Sequence, residues 1–279
     1  MVHQRNPFPL EEAGLILNPL GGKNLREAPF LLALANHAGL EVKVARNFEE
    51  ITRATREFLP AKKLLLVSGG DGTVSAVLTA SLQAGSPPRV VVLPGGTTNL
   101  IAWDVSRPRG QLKIFERFLK KLPPKIKKRR VLRILPANLY SMFCGAGLLA
   151  EGVRLYNKRR QEKGLQGLRN ALPVTFWTFI KGLRATDDLP VLTGVERRAA
   201  TIMLTTLERV FLPVRLFLKE PCPAVKVGLF PRTIFPFSVL CETEVELKAR
   251  FLAVDGELLE SKERRFVIQT TEEVEFLSW

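Results

Sequence analysis

Cysteine is scarce in this chain: its 279 residues contain three, Cys144, Cys222 and Cys241, odd in number and widely spaced. The spacing argues against a disulfide-stapled scaffold and offers no paired-cysteine zinc site, so it predicts a reducing, cytoplasmic setting. Histidine and tyrosine are as rare, two of each. Neither His3 nor His37 has a partner motif, and no Ser/His/Asp arrangement can be assembled around them. No segment approaches the roughly 18 consecutive apolar residues that span a bilayer. The first twenty residues also lack a charged head followed by an apolar core, the pattern of an export leader. These absences predict a soluble or peripheral protein.

Negative charge is in short supply as well. The 42 Lys and Arg outnumber the 27 Asp and Glu, for a net charge of +15. The excess is concentrated between residues 107 and 133, where twelve basic residues stand against one acid, Glu116. Such a run is either a solvated face or a patch drawn to a polyanion. An anionic leaflet attracts each nearby Lys or Arg by about 1 kcal/mol, so part of the cluster would hold the protein reversibly at the inner face of a membrane. Nucleic acid fits less well, because basic residues do not alternate with aromatic ones.

What the chain has in quantity is glycine at strand ends. The apolar run 64–67 leads into Gly69, Gly70, Asp71, Gly72 and Thr73, and a helix-like segment follows. Glycines let a backbone approach a bulky anion, and the unpaired N–H groups of a helix start supply positive potential. Asp71 would repel a polyphosphate unless a divalent cation lies between them or the carboxylate takes a proton. Two further loops share this build. Residues 14–17 lead into Asn18, Gly21, Gly22 and Lys23, and residues 90–93 lead into Gly95, Gly96, Thr97, Thr98 and Asn99. Loops following buried parallel strands gather at one carboxyl edge, where open α/β sheets bind ligands. Each loop also has a plain reading, as a Gly-rich turn or a threonine helix cap.

The motifs NPLGGK, GGDGT and PGGTTN, in this order over about residues 13–104, resemble the diacylglycerol kinase catalytic family of lipid kinases. A second match stands at Asp255, Gly256 and Glu257. The resemblance implies an α/β nucleotide-binding domain followed by an antiparallel β-sandwich, ATP and Mg2+ as cofactors, and lipid meeting nucleotide in a cleft. Asn18, Gly21, Gly22, Lys23, Gly69, Gly70, Gly72, Thr73, Gly95, Gly96, Thr97, Thr98 and Asn99 would bind nucleotide. Asp71 would serve the phosphates and metal or act as base, and Glu257 would be the base that accepts the lipid hydroxyl proton. The chain departs from the family twice. Leu100 stands where many members have aspartate after the asparagine, and Leu149 stands where relatives carry a carboxylate after a glycine pair. Asp104, one helical turn past Leu100, is either a substitute cleft carboxylate or an ordinary surface residue. GGDG also occurs in NAD kinases, and the two departures leave open a binding protein of the same fold that transfers no phosphate.

With 46% apolar residues, the chain can build two cores. Strands are predicted at 14–18, 40–45, 63–68 and 89–93, with helices at 27–38, 47–58, 73–83 and 111–122. The proline pair at 123 and 124 sets a boundary, dividing the chain into a nucleotide domain at 1–124 and a lipid-binding domain at 125–279. In the latter, short strands are predicted at 130–135, 198–205, 210–219, 239–248, 251–254 and 265–269. An amphipathic helix at 173–184 interrupts them, either packing on the core or bordering an acyl-chain entrance.

Overall fold

Four parallel strands carry the first half of the chain: β1 (Ala13–Leu17), β2 (Glu41–Val44), β3 (Leu64–Gly69) and β4 (Arg89–Pro94). Their spatial order is β2, β1, β3, β4. The computed structural model describes residues 8–106, 110–163, 189–193, 197–208, 222, 224–230 and 238–279. β1 and β3 are buried at every position, as strands covered on both faces must be, and their sequences are correspondingly apolar. β2 is the edge strand, and its residues are exposed or half-buried. Its alternating Glu41-Val42-Lys43-Val44 sequence suits that place.

Helices α1 (Asn24–His37), α2 (Phe48–Phe58) and α3 (Asp71–Gln83) connect the strands. Asn47 caps α2 by accepting a hydrogen bond from Glu50 N, while Glu50 accepts one from Arg46 N. This reciprocal arrangement starts the helix at the first turn. The short helix α4 (Leu100–Ser106) and α5 (Gln111–Leu119) follow β4. Leu15, Leu31, Leu66, Val91, Phe115 and Phe118 are among the residues of the common core. Among the described residues no helix is long and apolar enough to cross a membrane.

The chain forms two compact units, residues 1–129 with 273–279, and residues 130–272. The second unit is antiparallel. It draws on β5 (Lys125–Leu135), β6 (Leu139–Ser141), β7 (Phe143–Gly147), β8 (Val191–Leu192), β9 (Arg197–Arg198), β10 (Thr201–Thr205), β11 (Val225–Phe230) and β12 (Ser238–Glu242). The series ends with β13 (Glu244–Lys248), β14 (Phe251–Val254), β15 (Glu257–Glu260) and β16 (Arg265–Ser278). Six of these lie in one sheet, in the order β12, β11, β10, β7, β14, β15. Their inward residues, among them Cys144, Ile202, Leu204, Val227 and Leu252, share a core with Leu132, Ile134, Val245, Leu247, Phe266 and Ile268. The latter come from β5, β13 and β16, strands of the other sheet. Two sheets closing on alternating apolar residues make a sandwich. The last residues of β16 belong to the first unit, where Phe276 stands parallel to Val90.

Several expectations change. The segment predicted as one strand at 239–248 is two, β12 and β13, which lie in different sheets. The short strand β6 and the helix α6 (Leu148–Lys163) are elements the sequence reading did not assign. The helix expected at 173–184 and the strand expected at 210–219 lie outside the described residues. The cysteine reading is corrected: Cys222 and Cys241 form a disulfide with their Cα atoms 5.9 Å apart, and Cys144 is the free, buried thiol. Close approach in the folded chain, invisible in their spacing along the sequence, brings the pair together.

Candidate functional site

The three glycine loops interlock at the carboxyl edge of the first unit's sheet. Gly95 N and Gly96 N both donate to the Gly69 carbonyl, at 2.9 and 3.0 Å, tying the third loop to the second. Lys23 N and Asn24 N both donate to the Gly95 carbonyl, at 2.9 and 3.2 Å, tying the first loop to the third. Asn18 closes the circuit, because its Nδ2 donates to Thr73 Oγ1 at 3.1 Å. Gly21 lies against the Gly95 carbonyl and Gly22 against Thr97. At Gly96 a Cβ would collide with Gly70 Cα and stand 3.0 Å from Gly70 N, so only a residue without a side chain fits this crossing. Lys23 is exposed and Thr97 half-buried on the resulting rim. Gly70 precedes α3, and Gly72 and Thr73 lie in its first turn; Thr73 N donates to the Gly70 carbonyl at 3.0 Å, while a first-turn N–H such as that of Gly72 has no carbonyl four residues back within the helix.

Asp71 is turned into this frame. Its Oδ1 accepts from Ile101 N at 2.9 Å, and its Oδ2 accepts from Leu100 N at 3.0 Å and from the Thr98 hydroxyl at 2.8 Å. A carboxylate of the second loop therefore caps α4, which begins after the third. Burial pushes the Asp71 pKa up, opposed by the hydrogen bonds from Ile101, Thr98 and Leu100. Asn99 is used internally as well. It adopts φ 53°, and its amide makes two bonds with the Gly96 backbone, accepting from N at 2.8 Å and donating to O at 2.7 Å.

A polar cluster that the sequence reading missed lies behind the loops. Asn24, Ser68 and Gln111 are all buried and mutually hydrogen-bonded. The one sequence signal was Ser68 itself, a hydroxyl ending an otherwise apolar strand.

Asp104 is buried, and its side chain is fully shielded from solvent. It accepts from Arg129 Nε at 2.8 Å, while its main-chain carbonyl accepts from Lys127 Nζ at 2.8 Å. Part of the basic segment is thus committed to internal bonds, and Arg133 also donates to Asn138 Oδ1. Lys113, Lys120, Lys121 and Lys125 are exposed, together with Leu122 and Ile126.

In the second unit, Asp255 and Gly256 have φ of 49° and 88° and form the two-residue turn between β14 and β15. Positive φ at both central residues gives the hairpin form for which Asp-Gly is suited. Asp255 Oδ2 accepts from Ser141 Oγ at 2.5 Å, and Glu257 is exposed at the start of β15. Leu149 packs over Gly145, whose Cβ would meet Leu149 Cδ2 at 2.6 Å. Burial and the nearby Asp255 charge push the Cys144 thiol pKa up, so it is no nucleophile.

Comparison with known proteins agrees with this frame. Residues 12–131 match the family model of the diacylglycerol kinase catalytic domain. Diacylglycerol kinases of several Staphylococcus aureus strains are 36% identical over 95 residues, 32% of this chain. The match spans only 30% of the length of those relatives. A crystal structure of a diacylglycerol kinase from Bacillus anthracis str. Sterne superposes with a TM-score of 0.67 at 16% identity, covering 95% of this chain and 96% of that one. Another structure from the same organism gives a TM-score of 0.71 at 18% identity, covering 96% and 97%. At such identities the likeness shows the fold: a mostly parallel α/β domain with an antiparallel sheet domain.

Proposed function

We propose that this chain, whose residues 12–131 carry the diacylglycerol kinase catalytic domain they match, is an ATP-dependent lipid kinase. It would phosphorylate a hydroxyl of a diacylglycerol-like or other amphiphilic lipid at a membrane surface. The observation that carries this reading is the locking of three separate glycine turns into one rim with Lys23 exposed upon it. Glycine turns admit a polyphosphate to the backbone, the α3 amino end offers N–H groups, and the Lys23 ammonium offsets negative charge. Thr97 adds a hydroxyl. In transfer, the lipid oxygen bonds to the terminal phosphorus as the bond from that phosphorus to the ADP oxygen breaks. The hydroxyl proton goes to Glu257, the proposed base.

Asp71 belongs to this rim as its brace. Asp71 Oδ2 already accepts from two donors and Oδ1 from one, which supports magnesium arriving on the nucleotide phosphates and not in a cage of protein ligands. Among the described residues no group of three His, Cys, Asp or Glu converges either. Exposed Lys113, Lys120, Lys121 and Lys125 support reversible attachment to an anionic, cytoplasmic leaflet.

A second reading has its own observation. Leu149, where the family resemblance would imply a carboxylate, packs on Gly145 as an apolar side chain, which favours a protein that binds nucleotide or lipid without transfer. Incubation with labelled ATP, magnesium and mixed-lipid vesicles separates the two. Label in the chloroform-extractable lipid supports the kinase, and ATP binding without such product supports the binding protein.

A further inference from the structure

Gln111 opens α5 and is 1% exposed. Its Nε2 donates to Asn24 Oδ1 and to Glu27 Oε2, both at 2.8 Å, and its Oε1 accepts from Ser68 Oγ at 2.9 Å. Every polar atom of the amide is therefore used. The consequence falls on Asn24. With its oxygen held by Gln111, its Nδ2 donates to the Asn18 carbonyl at 2.7 Å and to Ser68 Oγ at 3.0 Å. A flipped Asn24 amide would set NH2 against the Gln111 NH2 and oxygen against the Asn18 carbonyl, so Gln111 and the Asn18 carbonyl together permit one orientation, each from one end of the amide.

Asn24 is where the first and third loops meet. Its backbone N donates to Gly95 O, beside the same bond from Lys23. Its side chain also fills the space at Gly95, where a Cβ would lie 2.5 Å from Asn24 Cγ. We infer that Gln111 is a positioning residue of the nucleotide rim: by fixing the Asn24 amide, it holds the Lys23 turn against the Gly95 turn before ligand arrives. This rests on the nucleotide-binding reading of the rim. A rim ordered in advance loses less freedom on binding, so the contribution is to ATP affinity more than to the transfer step.

The test compares the wild-type chain with Gln111→Met, which keeps length and an unbranched stem but has no amide. Amide hydrogen exchange at Lys23 and Asn24 is expected to rise about tenfold. KM for ATP is expected to rise about tenfold with kcat changed by less than about twofold, the pattern of lost binding without lost chemistry. Glu27→Gln, which keeps an acceptor for Gln111, should behave as wild type. Unchanged exchange at Lys23 and Asn24 in a folded Gln111→Met chain overturns the inference. Should that variant not fold, Glu27→Leu removes one Gln111 partner at a half-buried edge; it should raise the same exchange rates by less, and unchanged rates overturn the inference equally. Failure of the wild-type chain to bind ATP at all would sink the kinase reading, while the exchange rates would still decide the role of Gln111.

Discussion

The Asp71 carboxylate accepts a hydrogen bond from Ile101 N at 2.9 Å, across thirty residues of sequence. A 7-residue helix that begins immediately after a glycine loop has no cap of its own there, and this carboxylate supplies one. Asp71→Ala should therefore lower unfolding stability by about 1–2 kcal/mol, as loss of a helix cap does. Urea denaturation measures it, and an unchanged midpoint would contradict the bracing role.

The same residue gives a pH dependence. Burial raises the folded pKa of Asp71, so the folded chain holds this proton to higher pH than the unfolded chain. The part of the stability linked to this proton is present below the ordinary aspartate range, about 3.9, and is lost as pH rises through the folded value, while the hydrogen bonds of the cap remain. Asp71→Asn, which does not titrate, should flatten the stability profile across that window. Denaturation midpoints of both proteins over a pH series provide the comparison.

Gly96→Ala forces a methyl group against Gly70 Cα, where both partners are backbone. Overpacking of this kind costs about 1–3 kcal/mol. Because the crossing joins the second and third loops, the variant should lose ATP binding by calorimetry while its circular dichroism stays near that of wild type. Retained affinity would place the nucleotide elsewhere.

The basic segment should separate into two behaviours. Reversal of Lys113, Lys120, Lys121 and Lys125 to glutamate should weaken sedimentation with anionic vesicles at low salt, with stability nearly unchanged. Arg129→Ala instead leaves the fully shielded Asp104 side chain without its Arg129 ion pair, and should cost about 3 kcal/mol. Equal effects of both variants on vesicle binding would leave the division without support.

The first unit was legible because its interior strands, buried on both faces, have no choice but to be apolar: Leu64, Leu65, Leu66 and Val67 name themselves. The glycine loops were legible through repetition, three strand ends of one build. Gln111 was not, because its partners Asn24 and Ser68 lie 87 and 43 residues away and polar residues carry no periodic signal. The bracing of Asp71 was not legible, because the donors to its carboxylate include Leu100 and Ile101, apolar residues whose relevant atoms are main-chain nitrogens. The break between β12 and β13 at Thr243 was hidden because strand-forming residues continue on both sides of it, Val239 and Leu240 before and Val245 and Leu247 after. The Cys222–Cys241 bond was hidden because cysteine spacing does not encode tertiary proximity.

The return of residues 273–279 to the first unit constrains the order of assembly on the ribosome. Phe276 and Leu277 are buried there, and β4 has Phe276 opposite Val90. The amino-terminal half emerges first but lacks these side chains until the rest of the chain has been made, and meanwhile an apolar strand edge stays open. Nascent chains stalled before residue 273 should therefore be aggregation-prone and protease-sensitive, however complete their glycine loops.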